Sequence, residues 1–524
     1  MASAEVVLIS PFTDISALSL RGLSSYLKVH GVSTRMIFLS NILLCDEVGT
    51  PAGDFTFPPT LADQVLELCE NAVLVGISMM TNYHHSMGHL TDQIARRLGT
   101  PVVWGGAHAT LRPGQCLEHA TYACVGEGEE ALLELAIGLR EGRPCNRIPN
   151  ISTVEDGRLT SNPIRPLIQD LDALPFQDYD LADHFLYRRE EQRVVAMDDS
   201  LLEVYLDYGP RSLRRAQPTF QVMIARGCPY TCTFCGNHAI AALYPGQRYL
   251  RRRSNANAVA EIKEFRRRFP FVRAVLLSDD SFFLAADESI KEFCALYTTD
   301  VGLPFRCMAT PRSVTARKMA DLADAGLFFL EVGIQTGSPR INELYQRTWS
   351  SPDVIRQAAR LINARRDRVM PLYDIIVDNP FSTQRDELDT LRLVLELPKP
   401  YVLQIYSLTL FPGTKLLDKA LADGLVEDEH VLYQKDYRAF RRSYVNVMYV
   451  LVGRGVPPQV IRFLVQPLLL LCLDRPWFEV VFTRLVWLKM QWRRVTGKIR
   501  VALRWRRQLK HARQGEHTTA SRSN

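Results

Sequence analysis

A chain of 524 residues is long enough for about three domains with sizeable cores. Hydrophobic residues at 47% and charged residues at 23% are ordinary globular values, which excludes wholesale disorder and a collagen-like fibre. Lys and Arg total 63 against 57 Asp and Glu, and the resulting +6 is too small an excess to argue nucleic-acid binding.

Met1 to Ser10 has no basic flank followed by a long apolar run, so no secretory signal is expected there. Eleven cysteines in so long a chain do not make a disulfide scaffold. In the reducing compartment this implies, clustered cysteines read as metal ligands or catalytic groups. No stretch of about eighteen uninterrupted apolar residues occurs, so no membrane span is expected.

The first third alternates short β-rich runs with helical patterns. Strands are expected at Val6–Ile9, Thr34–Leu39, Val73–Ser78, Pro101–Trp104 and Tyr122–Val125. Helices are expected at Leu18 to Val29, Leu61 to Leu68, Gly88 to Leu98, and from Glu129 through Leu139. Parallel neighbours need crossovers, so this order implies a doubly wound α/β parallel sheet. Ligands bind such sheets beyond the carboxyl ends of their strands. Those ends carry Ser10–Phe12, Ser78–Thr81, Gly105–His108 and Gly126–Gly128. Spacing alone favours the plain reading that Gly105 and Gly106 turn the chain, and a lone loop histidine such as His108 is more often incidental.

The segments "VLVGISMMT" (Val73 to Thr81), "VVWGGAHATLRP" (Val102 to Pro113) and "VGEGEEALLEL" (Val125 to Leu135) resemble the cobalamin-binding domain that precedes many radical S-adenosylmethionine (SAM) enzymes. The resemblance covers roughly residues 5 to 140. It implies cobalamin binding through Gly105, Gly106, His108, Gly126, Glu127 and Gly128. The Asp-x-His-x-x-Gly segment that supplies a lower histidine to cobalt in other cobalamin proteins is absent after the first strand. Cobalamin is therefore expected without that ligand, and a domain that has lost cobalamin stays open as the alternative.

Residues 141–217 contain Pro144, Pro149, Pro163, Pro166 and Pro175 among polar clusters and read as a linker, with a small hairpin near Ile151 to Thr160. "LPFQDYD" (Leu174 to Asp180) resembles the segment by which those relatives enter their barrel.

The strongest motif is "ARGCPYTCTFCGNH" (Ala225 to His238). Cys228, Cys232 and Cys235 form C-x₃-C-x₂-C. Three thiolates on one tight loop can hold three irons of a four-iron, four-sulfur cluster and leave the fourth iron open. With His238 the same cysteines could instead make a Cys₃His zinc site. Phe234, Gly236 and Asn237 match the radical SAM pattern, and the later strand ends support it: "SDDSF" (Ser278 to Phe282), "GIQTGS" (Gly333 to Ser338), "YDIIVDNPF" (Tyr373 to Phe381) and "QIYSLTLFPGT" (Gln404 to Thr414). Repeated strand–helix units over 218–425 suggest a partial (β/α) barrel. The resemblance implies that Asp279 and Asp280 meet the amino group of SAM, that Glu331 and Gln335 approach its ribose or methionine part, and that Asn379 lies near adenine. A helix cap or a solvated loop is the plain alternative for the acids. "YLRRRS" (Tyr249 to Ser254) resembles a recurrent family segment, with a solvated basic face as the plain reading. Core packing is expected for Cys69, Cys124, Cys294 and Cys307.

Residues 426–524 read as a mostly helical, basic region. Phe463 to Leu473 is apolar but broken by Gln466 and Pro467, and Trp477, Trp487, Trp492 and Trp505 mix with a late arginine cluster from Arg493 to Arg507. A helical cap with a basic tail is the plain reading; an anionic membrane interface is the sharper one, and RNA a third. "HTTASRSN" reads as disordered.

Together these features lead us to expect a cytoplasmic, cobalamin-dependent radical SAM methyltransferase. It would act on an unactivated carbon, or a phosphinate phosphorus, of a small or lipid-like biosynthetic intermediate. Its cofactors would be a 4Fe-4S cluster, SAM and cobalamin, with an external electron donor of flavodoxin or ferredoxin type. Peripheral contact with the cytoplasmic face of a membrane stays open beside the plain helical-cap reading, and nucleic acid is not expected. A radical cyclase or rearrangement enzyme using cobalamin without net methylation is the runner-up. A tRNA methylthiotransferase is disfavoured because that family's additional N-terminal cysteines are missing, and a zinc-stabilised adaptor is the non-enzyme alternative.

Overall fold

A computed structural model describes residues 4–40, 59–208, 217–429 and 438–485. In chain order the first sheet takes Val6–Ser10 (β1), Thr34–Phe38 (β2), Leu74–Ser78 (β3), Val102–Gly105 (β4), Tyr122–Cys124 (β5), Ile151–Glu155 (β6), Arg158–Ser161 (β7), His184–Arg188 (β8) and Arg193–Ala196 (β9). Their spatial order is β7-β6-β5-β4-β3-β1-β2-β8-β9. The five strands β5-β4-β3-β1-β2 run parallel. β1, β2 and β3 are buried at every position, as strands covered on both faces must be. The helices Leu18–Val29, Pro59–Cys69 and His84–Leu98 make three of the crossovers, the short helices Ala107–Leu111 and Pro113–Cys116 make the one from β4 to β5, and Glu129–Arg140 follows β5. Trp104 of β4 is fully buried, and its indole N–H donates to Thr91 Oγ1 at 2.9 Å. Cys69, Cys124, Cys294 and Cys307 are buried, as expected of core cysteines.

The expected linker is a correction. Its predicted hairpin forms as β6 and β7 and joins one edge of the sheet; a second hairpin, β8 and β9, joins the other. Prolines punctuate the segment but do not interrupt those strands. Leu174 to Asp180 ties this sheet to the second one. Arg21 is fully buried between the rings of Tyr179 and Phe38, at 3.8 and 4.7 Å, and donates to the carbonyl of Asp178 at 2.7 Å. The Asp178 carboxylate accepts from Ser24 and pairs with Lys28 at 2.9 Å. Gln177 reaches the other way, its side chain donating to the carbonyl of Gln221 at 3.0 Å.

The second sheet contains Asp207–Tyr208 (β10), Gln217–Val222 (β11), Ala274–Leu277 (β14), Phe305–Ala309 (β15), Leu327–Gln335 (β16), Met370–Val377 (β17) and Val402–Ser407 (β18), while Ala225–Arg226 (β12) and Arg251–Arg252 (β13) pair separately. β11 and β14 to β18 are parallel neighbours, and helices cross between them, which makes a partial (β/α) barrel. Sequence patterning misses β15, because Arg306 interrupts its apolar run. Ser254, Thr315, Ser338, Ser351, Thr383 and Thr414 start the barrel helices by accepting a hydrogen bond from a first-turn amide.

Residues 1–440 form one compact unit and 441–524 another. Within the second, helices span Tyr444–Gly453, Pro458–Leu464 and Pro467–Leu473, and residues 476–485 are helical. Gln466 and Pro467 break the apolar run as expected. Trp487, Trp492, Trp505, the arginine cluster and the final "HTTASRSN" lie outside the described residues. Among the described residues no helix is long and apolar enough to cross a membrane.

Candidate active site

β11 ends at Val222, and the chain turns through β12 into the cysteine loop. Gly227 makes that turn at φ +90°, and a Cβ there would lie 2.5 Å from the carbonyl of Tyr249, so only glycine fits. Cys232 is buried, and Cys228 and Cys235 are half-buried. Burial pushes the Cys228 thiol up to about 11 and that of Cys235 upward as well, with the three sulfurs acting on one another. The loop is pinned from below: Thr233 donates from its amide to the carbonyl of Tyr345 at 3.1 Å and from its hydroxyl to that of Leu344 at 2.8 Å. Phe234 packs edge-on against Tyr345. Thiolates at the corners of a four-iron cluster are held apart by the cluster itself, so they need not converge on one point; among the described residues no three His, Cys, Asp or Glu side chains do.

The two adjacent aspartates after β14 have different surroundings. Asp279 is fully buried and accepts from the amide of Ala225, which places it as a buttress beneath the cysteine loop. Burial pushes its carboxyl up to about 7, against the pull of the Ala225 and Ile224 amides. Asp280 is exposed, acts electrostatically on Cys228 and Cys235, and accepts from Asn237 at 2.6 Å. Of the pair, Asp280 is the one open to an incoming ligand. Asn379 is buried: its amide nitrogen donates to Tyr345 Oη at 3.1 Å and its oxygen accepts from the amide of Phe381. Gln335 sits at φ +68°, where β16 slips register against β17.

Sequence reasoning passed over three residues here. Arg347 is buried, donates to Cys232 Sγ at 3.6 Å and to the carbonyl of Gly333 at 2.7 Å, and lies 4.4 Å from the Trp349 ring. Asp374 of β17 meets Glu331 of β16, carboxyl to carboxyl, which requires a shared proton. Burial raises both carboxyls above their ordinary range. Arg306 of β15 acts electrostatically on Glu331. An isolated Arg or Asp inside a strand pattern gives no sequence signal; only strand register brings these together.

At the carboxyl ends of β3, β4 and β5 lies a cavity of about 330 Å³. Gly76, Ser78, Gly105, Gly106, Gly126, Glu127 and Gly128 line it from the first sheet, and Met223, Arg226, Arg253 and Glu261 from the barrel. Small residues at the strand ends leave space that side chains would fill. At Gly126, φ is +84° and a Cβ would lie 2.0 Å from Tyr244 Oη. His108 departs from expectation. It is buried with its Nδ1 3.2 Å from Thr81 Oγ1 and its ring 5.1 Å from that of His84, and it does not line the cavity.

Glu127 lines the cavity and also joins the two sites. Its carboxylate pairs with Arg226 and Arg251, both at 2.9 Å, while Arg226 also reaches Glu129 at 2.7 Å. The basic strip Tyr249 to Ser254 is therefore not a solvated face. Arg251 is buried on Glu127, Arg252 donates to the carbonyl of Ser281 at 3.1 Å, and Arg253 pairs with Glu261.

The B12 binding domain family matches residues 4–136, and the Radical SAM superfamily matches residues 222–394. The chain is a radical SAM enzyme with an N-terminal B12-binding domain. This radical SAM enzyme is 26% identical over 362 residues to an uncharacterized methyltransferase, PH0819, of Pyrococcus horikoshii, covering 67% of this chain and 70% of that one. It is 30% identical over 232 residues to the anaerobic magnesium-protoporphyrin IX monomethyl ester cyclase of Rubrivivax gelatinosus, covering 41% of this chain and 34% of the relative. Its fold matches that of the radical SAM methyltransferase TsrM from Kitasatospora setae, solved with tryptophan substrate and a SAM analogue. The TM-score is 0.62 at 17% identity, over 80% of this chain and 76% of that one. It also matches the cobalamin-dependent SAM radical enzyme OxsB, with a TM-score of 0.57 at 17% identity, over 80% of this chain and 56% of that one.

The cofactors of this radical SAM enzyme are a 4Fe-4S cluster, SAM and cobalamin. Its residues fit them: three cysteines on one pinned loop for the cluster, and a glycine-rimmed cavity at the strand ends for part of the corrinoid. Membership in an enzyme family sets aside the zinc-stabilised adaptor.

Proposed function

We propose that this enzyme transfers a methyl group from SAM to an unactivated carbon, or a phosphinate phosphorus, of a small or lipid-like intermediate. The supporting observation is the salt-bridged junction of Glu127 and Glu129 with Arg226 and Arg251. It joins the rim of the cobalamin-type cavity to the strand that leads into the cysteine loop. Two cofactors that must act on one substrate need such fixed placement. When bound, the cluster supplies an electron for reductive cleavage of SAM and cobalamin supplies a methyl-carrying centre.

The chain's own residues take defined parts in this reading. Cys228, Cys232 and Cys235 hold the cluster, and Asp280, kept in place by Asn237, meets the amino group of SAM. Asp279 buttresses the loop without touching the ligand. Glu331, Gln335 and Asn379 line the path of the rest of SAM, Asn379 through the turn it holds. The Gly105–Gly106 and Gly126–Gly128 loops cradle the corrinoid by their backbone, and the Glu127 carboxylate serves the junction. An external flavodoxin- or ferredoxin-type protein supplies the electrons.

The test is reconstitution followed by replacement of Cys228 with Ala. The wild-type chain should hold about four irons and cleave SAM reductively; the variant should keep its cobalamin-type cavity and lose cleavage altogether. A second reading, radical ring closure without net methylation, is favoured by the 30% identity to the protoporphyrin ester cyclase.

A further inference from the structure

Among the described residues of 1–440, exposed large apolar side chains are scattered, at Val29, Met80, Val204, Leu421, Leu425 and the cross-strand pair Val154 and Leu159, which is ordinary for a protein surface. The second unit is different. Phe463, Leu468, Leu471, Trp477, Val480 and Leu485 are exposed within 23 consecutive residues, Leu468 at 78% and Phe463 at 66%. They stand on Pro458–Leu464, Pro467–Leu473 and the helical stretch 476–485. Proline interrupts this stretch at 467 and 476, so it forms short helices instead of one long one.

The chain that continues from this patch is strongly basic. Residues 486–524 contain eleven Lys and Arg against one acidic residue, Glu516, and three tryptophans. We propose that the second unit is a peripheral membrane anchor that docks on an anionic lipid surface, with the short helices lying in the interface. Exposed apolar residues followed in sequence by a basic segment match both layers of such a surface: Leu468, Leu471 and Phe463 suit the acyl region, and a segment of that charge suits anionic headgroups. Tryptophan is suited to the boundary between the layers. An RNA would satisfy the charge but offers no apolar phase for the leucines. The anchor stands independently of the methyl-transfer reading.

The test uses the full chain with its cluster reconstituted. Sedimentation with vesicles of phosphatidylglycerol and phosphatidylcholine, and with phosphatidylcholine alone, is run at low and high salt. Binding at least tenfold stronger to the anionic vesicles, and weakened by salt, is expected. The double variant Leu468→Asp/Leu471→Asp changes only exposed positions and should lose at least tenfold of the binding while its cluster absorbance is unchanged. The exposed Cys472 gives a second readout: maleimide should label it in free protein and be blocked on vesicles. Three results would overturn the anchor: equal recovery in the supernatant under all conditions, undiminished binding by the double variant, or a Cys472 already blocked without vesicles, which would mean that the chain itself or a protein partner covers the patch.

Discussion

Arg226 donates through Nη1 to Glu127 and through Nη2 to Glu129, at 2.9 and 2.7 Å, and so bridges both acids of the Gly-Glu-Gly-Glu motif one residue before the turn into the cysteine loop. Burial works against its charge, but Glu129 and Glu127 outweigh that and hold the guanidinium above its ordinary range. Removing one partner of a buried pair strands the other. Arg226→Met should therefore cost about 3 kcal/mol in denaturant unfolding, because Glu129 is left buried without its cation. Arg226→Met combined with Glu129→Met should recover most of that loss. Equal losses in both variants would mean that the ion pair is not what holds this junction.

The Arg347 contact with Cys232 Sγ predicts an electrochemical effect. Donors to cluster sulfurs favour the more negative, reduced state, so their loss lowers the potential. Arg347→Met should shift the cluster midpoint negative by on the order of 50 mV in an EPR-monitored titration. Arg347→Lys should restore only part of it, since the planar contact with Trp349 is lost. An unshifted midpoint in both variants would reduce Arg347 to a packing role.

Cobalamin retention should depend on open space at the strand ends. Gly105 lines the cavity, and a Cβ there meets only Cys124 at 3.9 Å, so a larger side chain enters the cavity without backbone strain. Gly105→Leu should fold and assemble its cluster but retain at most a tenth of the cobalamin kept by the unaltered enzyme. Bound cob(II)alamin in the unaltered enzyme should show an EPR spectrum without nitrogen coupling from a lower ligand.

Burial depresses His184 to about 4, with the Asp178 carboxylate at 3.5 Å pulling the other way. The ring is therefore neutral in the folded protein at neutral pH and takes up a proton on unfolding below about 6.5. Stability is lost as pH falls from that value toward 4. Between pH 8 and pH 5 this one group should cost about 2 kcal/mol. His184→Gln should flatten the wild-type slope by that amount in urea unfolding at the two pH values.

Much of the fold could be read from the sequence because the parallel strands are apolar on both faces and are separated by periodic helices. Leu18–Val29 was expected with those bounds, and the five strands of the first domain within a residue or so at each end. The barrel was less legible. β15 was hidden by Arg306, whose charge belongs to the barrel's polar layer beside Glu331. The linker was misjudged in part because β9, at the edge of the sheet, buries little of its surface and shows weak patterning. The cysteine loop was legible as a motif. The partners of Glu127 were not, because Arg226 and Arg251 lie about a hundred residues away and only the fold joins them.

The central claim, methyl transfer by a cobalamin-dependent radical SAM enzyme, is tested most directly by incubating the fully loaded enzyme with methyl-deuterated SAM, a low-potential reductant and an extract of small molecules and lipids. S-adenosylhomocysteine and 5′-deoxyadenosine are read together with any deuterated product. Methyl transfer predicts both SAM fragments in comparable amounts and a product carrying three deuterium atoms. Accumulation of 5′-deoxyadenosine alone, with a product that has gained no deuterated methyl group, would contradict the account and establish the ring-forming reading in its place.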